Sequence, residues 1–153
     1  MPFPKIRPAR PEDLDTLVEF NAAMALETEQ LSLDRIRLRE GIAQLLADAA
    51  KGQYRVAERE GTVVGALMLT REWSDWRCGD WWWIQSVYVR PEARRDGVFR
   101  ALYESVEGEA RARADVCGLR LYVERDNARA QATYAALGME QTHYQMFEAS
   151  TRS

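Results

Sequence analysis

The chain has 153 residues, and 46% of them are apolar, which is enough for one hydrophobic core without help from disulfides or a metal. Its formal net charge is −3 and its basic residues are scattered among acidic ones, so the basic patch typical of duplex nucleic-acid binding is missing. No apolar stretch has the length of a signal peptide or of a membrane span. We therefore expect a single cytoplasmic domain over residues 1–153 without a nucleic-acid or membrane partner.

The cysteines and the histidine form no recognisable site motif. Cys78 and Cys117 are far apart and lack Cys-x-x-Cys spacing, so we expect reduced thiols in structural positions and no bound metal. His143, the only histidine, lies in a strand-like run near the end of the chain, and we expect a structural role for it as well.

The first part of the chain predicts an edge strand and two helices. The strand covers residues 5–10, and Pro11 suits the first position of a helix that ends near Glu27. A second helix is predicted over residues 32–50, with Ser32 as its N-cap.

The middle of the chain predicts three strands. Residues 54–58 and 63–69 are joined by a short turn at Glu60-Gly61, which indicates a hairpin. The run 63–69 is apolar throughout, as in a strand covered on both faces. Residues 71–80 are polar and turn-prone and predict a loop, and residues 81–89 form the next predicted strand.

The last third alternates helix and strand. A long amphipathic helix is predicted over residues 97–116 with Cys117-Gly118 as its end, followed by a strand at 119–123. A helix over 128–136 and a strand over 140–148 complete the chain. The order of elements and the hairpins predict a mixed α/β fold with a mixed sheet.

The most informative segment is the basic turn after the strand that ends at Val89. The first N–H groups of a helix have no intrahelical partner and carry the positive end of the helix dipole, so an anion is stabilised there. Arg94, Arg95 and Arg100 add charge around the turn, and Gly97 lets the main chain approach a ligand closely. The turn lacks the Walker lysine and the three glycines of a dinucleotide fingerprint.

Two motifs together resemble those of the GCN5-related N-acetyltransferases. The first, Arg94-Arg95-Asp96-Gly97-Val98-Phe99, is similar to the family's Arg/Gln-x-x-Gly-x-Gly/Ala turn. The second matches Asn-x-x-Ala-x-x-x-Tyr at Asn127, Ala130 and Tyr134. The resemblance covers nearly the whole chain and implies a central mixed, mostly antiparallel twisted sheet flanked by about four helices.

The resemblance also implies acetyl-CoA as co-substrate. Backbone amides from Arg95 to Arg100 would hold the pyrophosphate, the main chain of Val87 and Val89 would pair with the pantetheine arm, and Asn127 would bind a pantetheine amide. The full set of implied cofactor-binding residues is Val87, Tyr88, Val89, Arg94, Arg95, Asp96, Gly97, Val98, Phe99, Arg100, Asn127 and Tyr134.

Phe99 departs from the family pattern, which has Gly or Ala at this position. Its ring either packs between helix and sheet, leaving the amide available, or crowds the pyrophosphate. We favour packing.

The resemblance gives Tyr134 the role of general acid toward the departing CoA thiolate. Ser86 is a catalytic candidate in the strand expected to face the thioester, and the Val87 N–H is a candidate donor to the thioester oxygen. The residue that takes the amine proton stays open between four carboxylates, namely Glu27, Glu29, Glu72 and Asp75.

Five tryptophans lie between residues 73 and 83, and their role also stays open. Trp73 and Trp76, next to Glu72 and Asp75, would suit a cationic amine, but an aromatic cluster can equally cover the sheet or form a dimer contact. Strand alternation must send at least one ring of residues 81–83 to the face opposite its neighbours. The candidate substrate-binding residues are Glu27, Glu29, Trp73, Trp76 and Gln85.

These features predict an N-acetyltransferase that moves acetyl from acetyl-CoA to a primary amine of a small molecule or protein, by direct attack in a ternary complex and without a metal. A homodimer is compatible with this hypothesis. Two alternatives are a non-catalytic acyl-CoA sensing module of the same fold and a protein-interaction domain that uses the tryptophan surface.

Overall fold

The computed structural model describes residues 3–152. These residues form β1 (Lys5–Pro8), α1 (Leu14–Glu29), α2 (Arg35–Ala47), β2 (Gln53–Arg59), β3 (Thr62–Ser74), β4 (Gly79–Val89), α3 (Val98–Arg111), β5 (Val116–Arg120) and α4 (Ala128–Ala136). Single turns of 3-10 helix precede α1 and α3, and each begins at a proline. The chain divides after Tyr122 into two compact units. We call residues 3–122 the N-terminal unit and residues 123–152 the C-terminal unit.

The N-terminal unit is built on one five-stranded sheet with the order β1-β2-β3-β4-β5. The first four strands pair antiparallel with their neighbours, and β5 pairs parallel with β4. The predicted mixed and mostly antiparallel sheet is therefore confirmed.

Helices cover both faces of this sheet. The core on one face combines α1 and α2 with the strands, and its members are Leu17, Val18, Phe20, Ile42, Tyr54, Val56, Ala66 and Tyr88. On the other face α3 buries Leu102 and Val106 completely. Residues 64–67 of β3 are buried without a break, which confirms that this strand is covered on both sides.

An ion pair joins α3 to the sheet. Arg55 of β2 is almost fully buried, and its guanidinium binds the Glu109 carboxylate with an Nη1–Oε2 distance of 2.6 Å. The hydrogen bond from Arg55 holds the pKa of the Glu109 carboxyl below its usual range. The buried cation therefore has a carboxylate partner, as a charge in an apolar layer requires.

Two predicted helix ends are wrong. Asp34, not Ser32, caps α2, because its carboxylate accepts hydrogen bonds from the Ile36 and Arg37 amides. The helix α3 ends at Arg111, and Cys117-Gly118 lies inside β5 instead of ending the helix. The alanine-rich sequence after Arg111 has no helix-breaking residue, so the pattern did not reveal the turn into β5.

Two predicted stretches of strand and loop are also wrong. The predicted loop at residues 71–80 is a β-ribbon, since β3 and β4 stay paired as far as Ser74 and Gly79 and only four residues make the turn. The predicted strand at residues 140–148 is absent, because residues 139–152 lie in neither helix nor strand. A strand needs a neighbour to satisfy its backbone, and this segment has none in the described chain.

Cys78 and Cys117 are free thiols. Within residues 3–152, no group of three or more His, Cys, Asp or Glu side chains is arranged to hold a metal ion. None of the described helices is long and apolar enough to cross a membrane.

Candidate functional site

The turn between β4 and α3 has the backbone of an anion-binding loop. Gly97 is the N-cap of α3 and has φ +80°. Because glycine has no side chain, no side-chain group of the N-cap accepts a hydrogen bond from the amides of the first helical turn. Arg95 also adopts a positive φ, of 68°, which a residue with a side chain seldom does. A Cβ at Gly97 would meet nothing within 4 Å, so the approach to the helix end is open. Where the sign of φ alternates along the backbone, successive amide N–H groups point toward one concave site that can bind an anion.

Charged side chains around the turn leave it basic. The single acidic residue of the turn, Asp96, pairs with the nearly buried Arg59 of β2 at 3.4 Å. Arg95 and Arg100 are exposed, and neither forms an ion pair with any residue between 3 and 152. Two guanidinium groups therefore remain available to a polyanion at the end of α3.

Arg94 anchors the turn to the protein. Its Nε donates to the carbonyl oxygen of Val89 (2.9 Å), and its Nη2 pairs with Oε2 of Glu27 (2.8 Å). Its guanidinium also lies over the ring of Tyr88 at 5.4 Å. Arg94 thus ties the turn to β4 and to the last turn of α1.

Phe99 packs along its own helix. Its ring lies beside that of Tyr103, one turn further on, with 6.2 Å between the ring centroids. Tyr103 is buried, so this contact directs the Phe99 ring to the packed side of α3. The packing of Phe99 between helix and sheet, which the sequence favours, stays a prediction.

A β-bulge interrupts β4 immediately before the turn. Met68 of β3 faces Gln85, but Ala66 faces Tyr88, so Ser86 and Val87 together oppose one residue of β3. Ser86 has φ 51°, which accounts for the extra residue. At a bulge, a backbone N–H is left without its regular hydrogen bond to the neighbouring strand, and its direction changes. The Ser86-Val87 peptide is therefore the place where β4 can donate a hydrogen bond to a ligand.

The strands β4 and β5 separate at the same level. Their parallel pairing runs from Asp80 with Val116 to Trp83 with Arg120, and it stops there. Within residues 3–152, β4 is therefore paired only with β3 from Ile84 to Val89. No described strand pairs with its other main-chain edge along the stretch that leads to the basic turn.

Trp81 lies in the part of the sheet where β4 and β5 are still paired. Its ring lies against Gly118 of β5, where a Cβ would come within 2.5 Å of the ring. The Arg120 guanidinium covers the ring at 3.9 Å. Only glycine at position 118 permits this contact.

A buried polar cluster supports the bulge from the α1 side. The Asn21 side chain donates to the Leu17 carbonyl oxygen (2.9 Å) and to the Tyr54 hydroxyl (3.1 Å). Burial raises the pKa of the Tyr54 hydroxyl, and its interactions with the Asn21 and Ser86 side chains act in the opposite direction. The Ser86 side chain is therefore close to this buried hydroxyl.

Gln85 is held beside the bulge. Its side-chain amide donates to Oγ1 of Thr70 at 2.6 Å, across the β3–β4 pair.

Glu27 contacts both the turn and β4. Besides its pair with Arg94, it lies 3.4 Å from the Tyr88 hydroxyl, which donates to it. Burial raises the pKa of Tyr88, and the negative charge of Glu27 adds to that shift. Among the four candidate carboxylates, Glu27 is thus placed next to the residue that follows the bulge. Glu29 lies at the exposed end of α1.

The other acceptor candidates lie at the opposite end of the β3–β4 ribbon. Glu72 faces Trp81 in register and accepts a hydrogen bond from Nε1 of Trp83 (2.8 Å). Trp73 faces Asp80, and from there to Val87 a strand extends about 23 Å. Asp75 and Trp76, in the connecting turn, are exposed. The structure thus separates these residues from the bulge. Trp82 is buried while Trp81 and Trp83 are half-buried, which confirms the predicted alternation.

The C-terminal unit carries the second motif on α4. Oδ1 of Asn127 accepts a hydrogen bond from the Ala130 amide at 3.1 Å, so Asn127 is the N-cap of the helix. This bond leaves the carboxamide N–H2 as the group that can donate to a ligand. Tyr134 is half-buried, and burial raises the pKa of its phenol. The phenol is therefore protonated at neutral pH.

Three site features escape prediction from the sequence. Gly65 of β3 is required because a Cβ there would lie 2.9 Å from Cγ1 of Val98, the first residue of α3. A glycine within an apolar strand was a signal of close approach. The positive φ of Ser86 and the Arg59–Asp96 pair carry no comparable signal, because both depend on tertiary contacts.

The chain is similar to known acetyltransferases. The model of the acetyltransferase (GNAT) family matches residues 17–139. The crystal structure of a possible acetyltransferase from Clostridium difficile 630 has 43% sequence identity and a TM-score of 0.93, with 99% of this chain and 100% of that chain covered. None of the curated proteins matches this sequence.

More distant structures share the fold. A GCN5-related N-acetyltransferase from Ralstonia eutropha JMP134 has 23% identity and a TM-score of 0.73, with 95% of this chain and 98% of that chain covered. A predicted acetyltransferase from Clostridium acetobutylicum, whose structure was determined with acetyl-CoA, has 16% identity and a TM-score of 0.76 over 95% and 96% of the two chains. The family model and the 43% identical structure together show that the chain belongs to the GNAT acetyltransferase family.

Proposed function

We propose that this protein is an acetyl-CoA-dependent N-acetyltransferase that acts on a primary amine by direct attack in a ternary complex. The observation that carries the proposal is the sequence of features along β4: a bulge at Ser86-Val87, an open main-chain edge, and then the uncapped, basic start of α3. This order corresponds to the thioester, the pantetheine arm and the pyrophosphate of one extended ligand.

The basic turn would hold the pyrophosphate. The amides that follow Gly97 supply hydrogen-bond donors, and the helix dipole adds positive potential at the same point. Arg95 and Arg100 add charge from the exposed side. The free edge of β4 between Ile84 and Val89 can pair with the pantetheine amides as an added strand would.

The reaction assigned to the site exchanges one carbon–sulfur bond for one carbon–nitrogen bond. When bound, acetyl-CoA supplies an acetyl group activated as a thioester. The amine nitrogen attacks the carbonyl carbon, Glu27 takes the amine proton through water, and Tyr134 gives its phenol proton to the departing sulfur. Solvent then restores both side chains.

The backbone at the bulge would stabilise the charge that develops on the thioester oxygen. The Val87 N–H is the proposed donor, since the bulge removes it from regular pairing. Ser86 would keep this peptide in position through its contact with Tyr54. The proposed roles of Ser86 and Val87 are therefore complementary, one fixing the peptide and the other donating from it.

The amine would approach Glu27 from solvent, because that side chain is about half exposed. Gln85, held by Thr70, is proposed to orient the bound carbonyl or a water. Trp73 and Trp76 would contact only an acceptor large enough to extend along the ribbon, such as a peptide, and Glu29 would contact an acceptor at the exposed end of α1. The proposed acceptor is therefore a primary amine of a small molecule or of a protein.

The test is a turnover assay on the full chain. Release of CoA thiol is followed with a disulfide reagent in the presence of polyamines, amino acids and lysine peptides. Tyr134→Phe is expected to lower kcat about 100-fold, since a general acid contributes 10²–10⁴, and to leave acetyl-CoA affinity within a few-fold. Tyr144→Phe, which also removes one phenol hydroxyl, is the matched control and should retain the wild-type rate.

The same assay separates the alternatives. Unchanged turnover in Tyr134→Phe contradicts the general-acid role. Acetyl-CoA binding without thiol release for any amine favours a sensing module. Failure to bind acetyl-CoA contradicts both hypotheses and leaves the protein-interaction role.

A further inference from the structure

The sheet face that packs against α1 and α2 continues along the β3–β4 ribbon. Met68, which packs against that core, faces Gln85 across the strand pair, so Gln85 lies on the same face. Alternation along β4 places Trp83 and Trp81 there as well. The partners of these two rings in the neighbouring strands complete a surface that we call the ribbon face: Glu72, Trp81, Trp83, Gln85 and Arg120.

An ion pair on the ribbon face is held by two indole rings. The Glu72 carboxylate accepts hydrogen bonds from Nε1 of Trp83 (2.8 Å) and from Nη1 of Arg120 (3.3 Å). The Arg120 guanidinium lies over the Trp81 ring, with 3.9 Å between Cζ and the ring centroid. Because the Arg120 side chain is only 23% exposed, it has less freedom than the side chains of ordinary surface ion pairs. The two charges are therefore presented in a defined geometry.

Both members of the pair can still bind a ligand. Within residues 3–152, the Arg120 side chain donates hydrogen bonds only through Nη1, so the edge formed by Nε and Nη2 can bind a carboxylate through two parallel hydrogen bonds. The Glu72 carboxylate is 47% exposed and has further acceptor positions for an ammonium group. A ligand with a carboxylate and an ammonium side by side matches both charges. The head of a free α-amino acid is such a zwitterion.

The distance from the ion pair to the bulge fits an amine at the end of a side chain. Arg120 is level with Trp83, which precedes Ser86 by three residues, or about 10 Å of strand. Glu72 is therefore too far away to take a proton from an amine at the bulge. A lysine-like chain, with six bonds from its carboxylate carbon to its terminal nitrogen, spans about 7.5 Å, and the nitrogen attacks from about 3 Å. The half-buried Trp83 ring would cover its methylene groups.

We propose that the acceptor is a free diamino acid of about the length of lysine. Its carboxylate binds the Nε and Nη2 edge of Arg120, its α-ammonium binds Glu72, and its terminal amine reaches the thioester at the Ser86-Val87 bulge. This inference rests on the proposed function, which assigns the thioester to the bulge. The bonds exchanged are those of the proposed reaction, and the products are CoA and the diamino acid acetylated on its terminal nitrogen.

The first test compares acceptors that differ by one charged group. Lysine carries the complete head, ε-aminocaproate lacks the α-amine, and cadaverine lacks the carboxylate. We expect kcat/KM for lysine to exceed each of the other two by about tenfold or more, because each lacks one hydrogen-bonded charge. Nα-acetyl-lysine methylamide, which represents a lysine within a protein, should be equally poor. A value for any of the three that equals that of lysine overturns the proposal.

The second test assigns each charge to its residue. Arg120→Gln should lower kcat/KM for lysine and ε-aminocaproate about tenfold more than for cadaverine, which has no carboxylate. Glu72→Gln should lower it for lysine and cadaverine about tenfold more than for ε-aminocaproate. Arg71→Gln is the control, since Arg71 is exposed on the same ribbon but faces Trp82 and lies on the opposite face. Equal losses for all three acceptors would indicate a structural role and overturn the assignment.

A binding measurement separates this inference from the proposed function. If cadaverine releases CoA thiol as fast as lysine, the proposed function stands and the diamino-acid acceptor is overturned. If no amine releases thiol, the proposed function fails, and calorimetric titration with lysine still tests the ion pair as a zwitterion site. Binding that Arg120→Gln weakens about tenfold, and that Arg71→Gln leaves unchanged, supports the site. No binding, or equal binding by Arg120→Gln and wild type, overturns it.

Discussion

The two units of this protein differ in where their stability comes from. The N-terminal unit has a sheet covered by helices on both faces, with Leu17, Leu67, Leu102 and other side chains fully buried. The C-terminal unit has one short helix without a buried residue and a long exposed tail. Yet the C-terminal unit carries the proposed acid, Tyr134. The difference indicates that the N-terminal unit is stabilised by its own core, whereas the C-terminal unit has no buried side chain to stabilise it.

The largest expected contrast is the cost of removing an apolar side chain from each unit. Leu102→Ala should lower the free energy of unfolding by about 3 kcal/mol, because the residue is fully buried and a cavity remains. Phe147→Ala should lower it by less than about 0.5 kcal/mol, because the side chain is 91% exposed. Urea unfolding of both variants checks this. Similar costs would show that the two units are equally packed in the single chain.

Glycine substitutions in the N-terminal unit sharpen the same comparison. Gly65→Ala is expected to destabilise by about 2 kcal/mol, because the new Cβ would press on Val98 where α3 begins. Gly108→Ala, in open space on the same helix, should instead stabilise by about 0.5 kcal/mol. Thermal unfolding measures whether each substitution lowers or raises the stability of the protein. A neutral Gly65→Ala variant would mean that α3 is free to shift.

Asn127 tests the C-terminal unit by separating two roles of one side chain. Asn127→Asp keeps a good N-cap but loses the N–H2 donor, so α4 should remain intact and acetyl-CoA binding should weaken about fivefold. Asn127→Ala should lose the cap as well, worth about 1 kcal/mol of helix stability. Amide exchange of α4 and calorimetric titration measure the two effects. Equal affinity for Asn127→Asp and wild type would remove the donor role.

The ion pair between Arg55 and Glu109 gives the N-terminal unit a defined pH dependence. The pKa of Glu109 is lowered in the folded state, so the pair stabilises the fold above the ordinary carboxyl range and is lost as pH falls through the lowered value. Glu109→Gln should cost about 1 kcal/mol at pH 7, since the carboxylate is partly exposed, and almost nothing once Glu109 of the wild type is protonated. Unfolding free energies measured across this pH range provide the check. A cost that stays constant into acid would contradict the assignment.

The smallest expected effect concerns Phe99. Because its ring packs beside Tyr103, Phe99→Ala should leave acetyl-CoA affinity within a few-fold of wild type. Calorimetry measures this directly. A change beyond tenfold in either direction would show that the ring contacts the coenzyme.

The order of elements was predictable because the apolar periodicity and the breaker residues agree. The helix over residues 128–136 has the predicted bounds, and the strand after residue 81 leads into the basic turn as expected. The end of α3 was not predictable, because no helix-breaking residue directly follows Arg111. Gly118 lies in β5 instead, where the absence of a side chain makes room for the Trp81 ring. The polar ribbon at residues 71–80 was mistaken for a loop because solvated antiparallel strands need little apolar sequence.

The site was predictable only where it rests on sequence motifs. The Gly97 turn and the Asn127 cap follow from residue type and position. The Ser86 bulge, the Arg59–Asp96 pair and the contact of Glu27 with Arg94 depend on residues distant in sequence, so no window of the chain could reveal them. The segment 140–148 has the composition of a strand, but a strand forms only where a partner is available.

The ring of Trp81 packs on Gly118, two residues before the point at which β4 and β5 separate. Because a side chain at position 118 would collide with this ring, the contact holds β4 and β5 in one register next to the point where they separate. If the proposed function holds, acetyl-CoA would meet strands that are already separated, and little of its binding free energy would be spent on separating them.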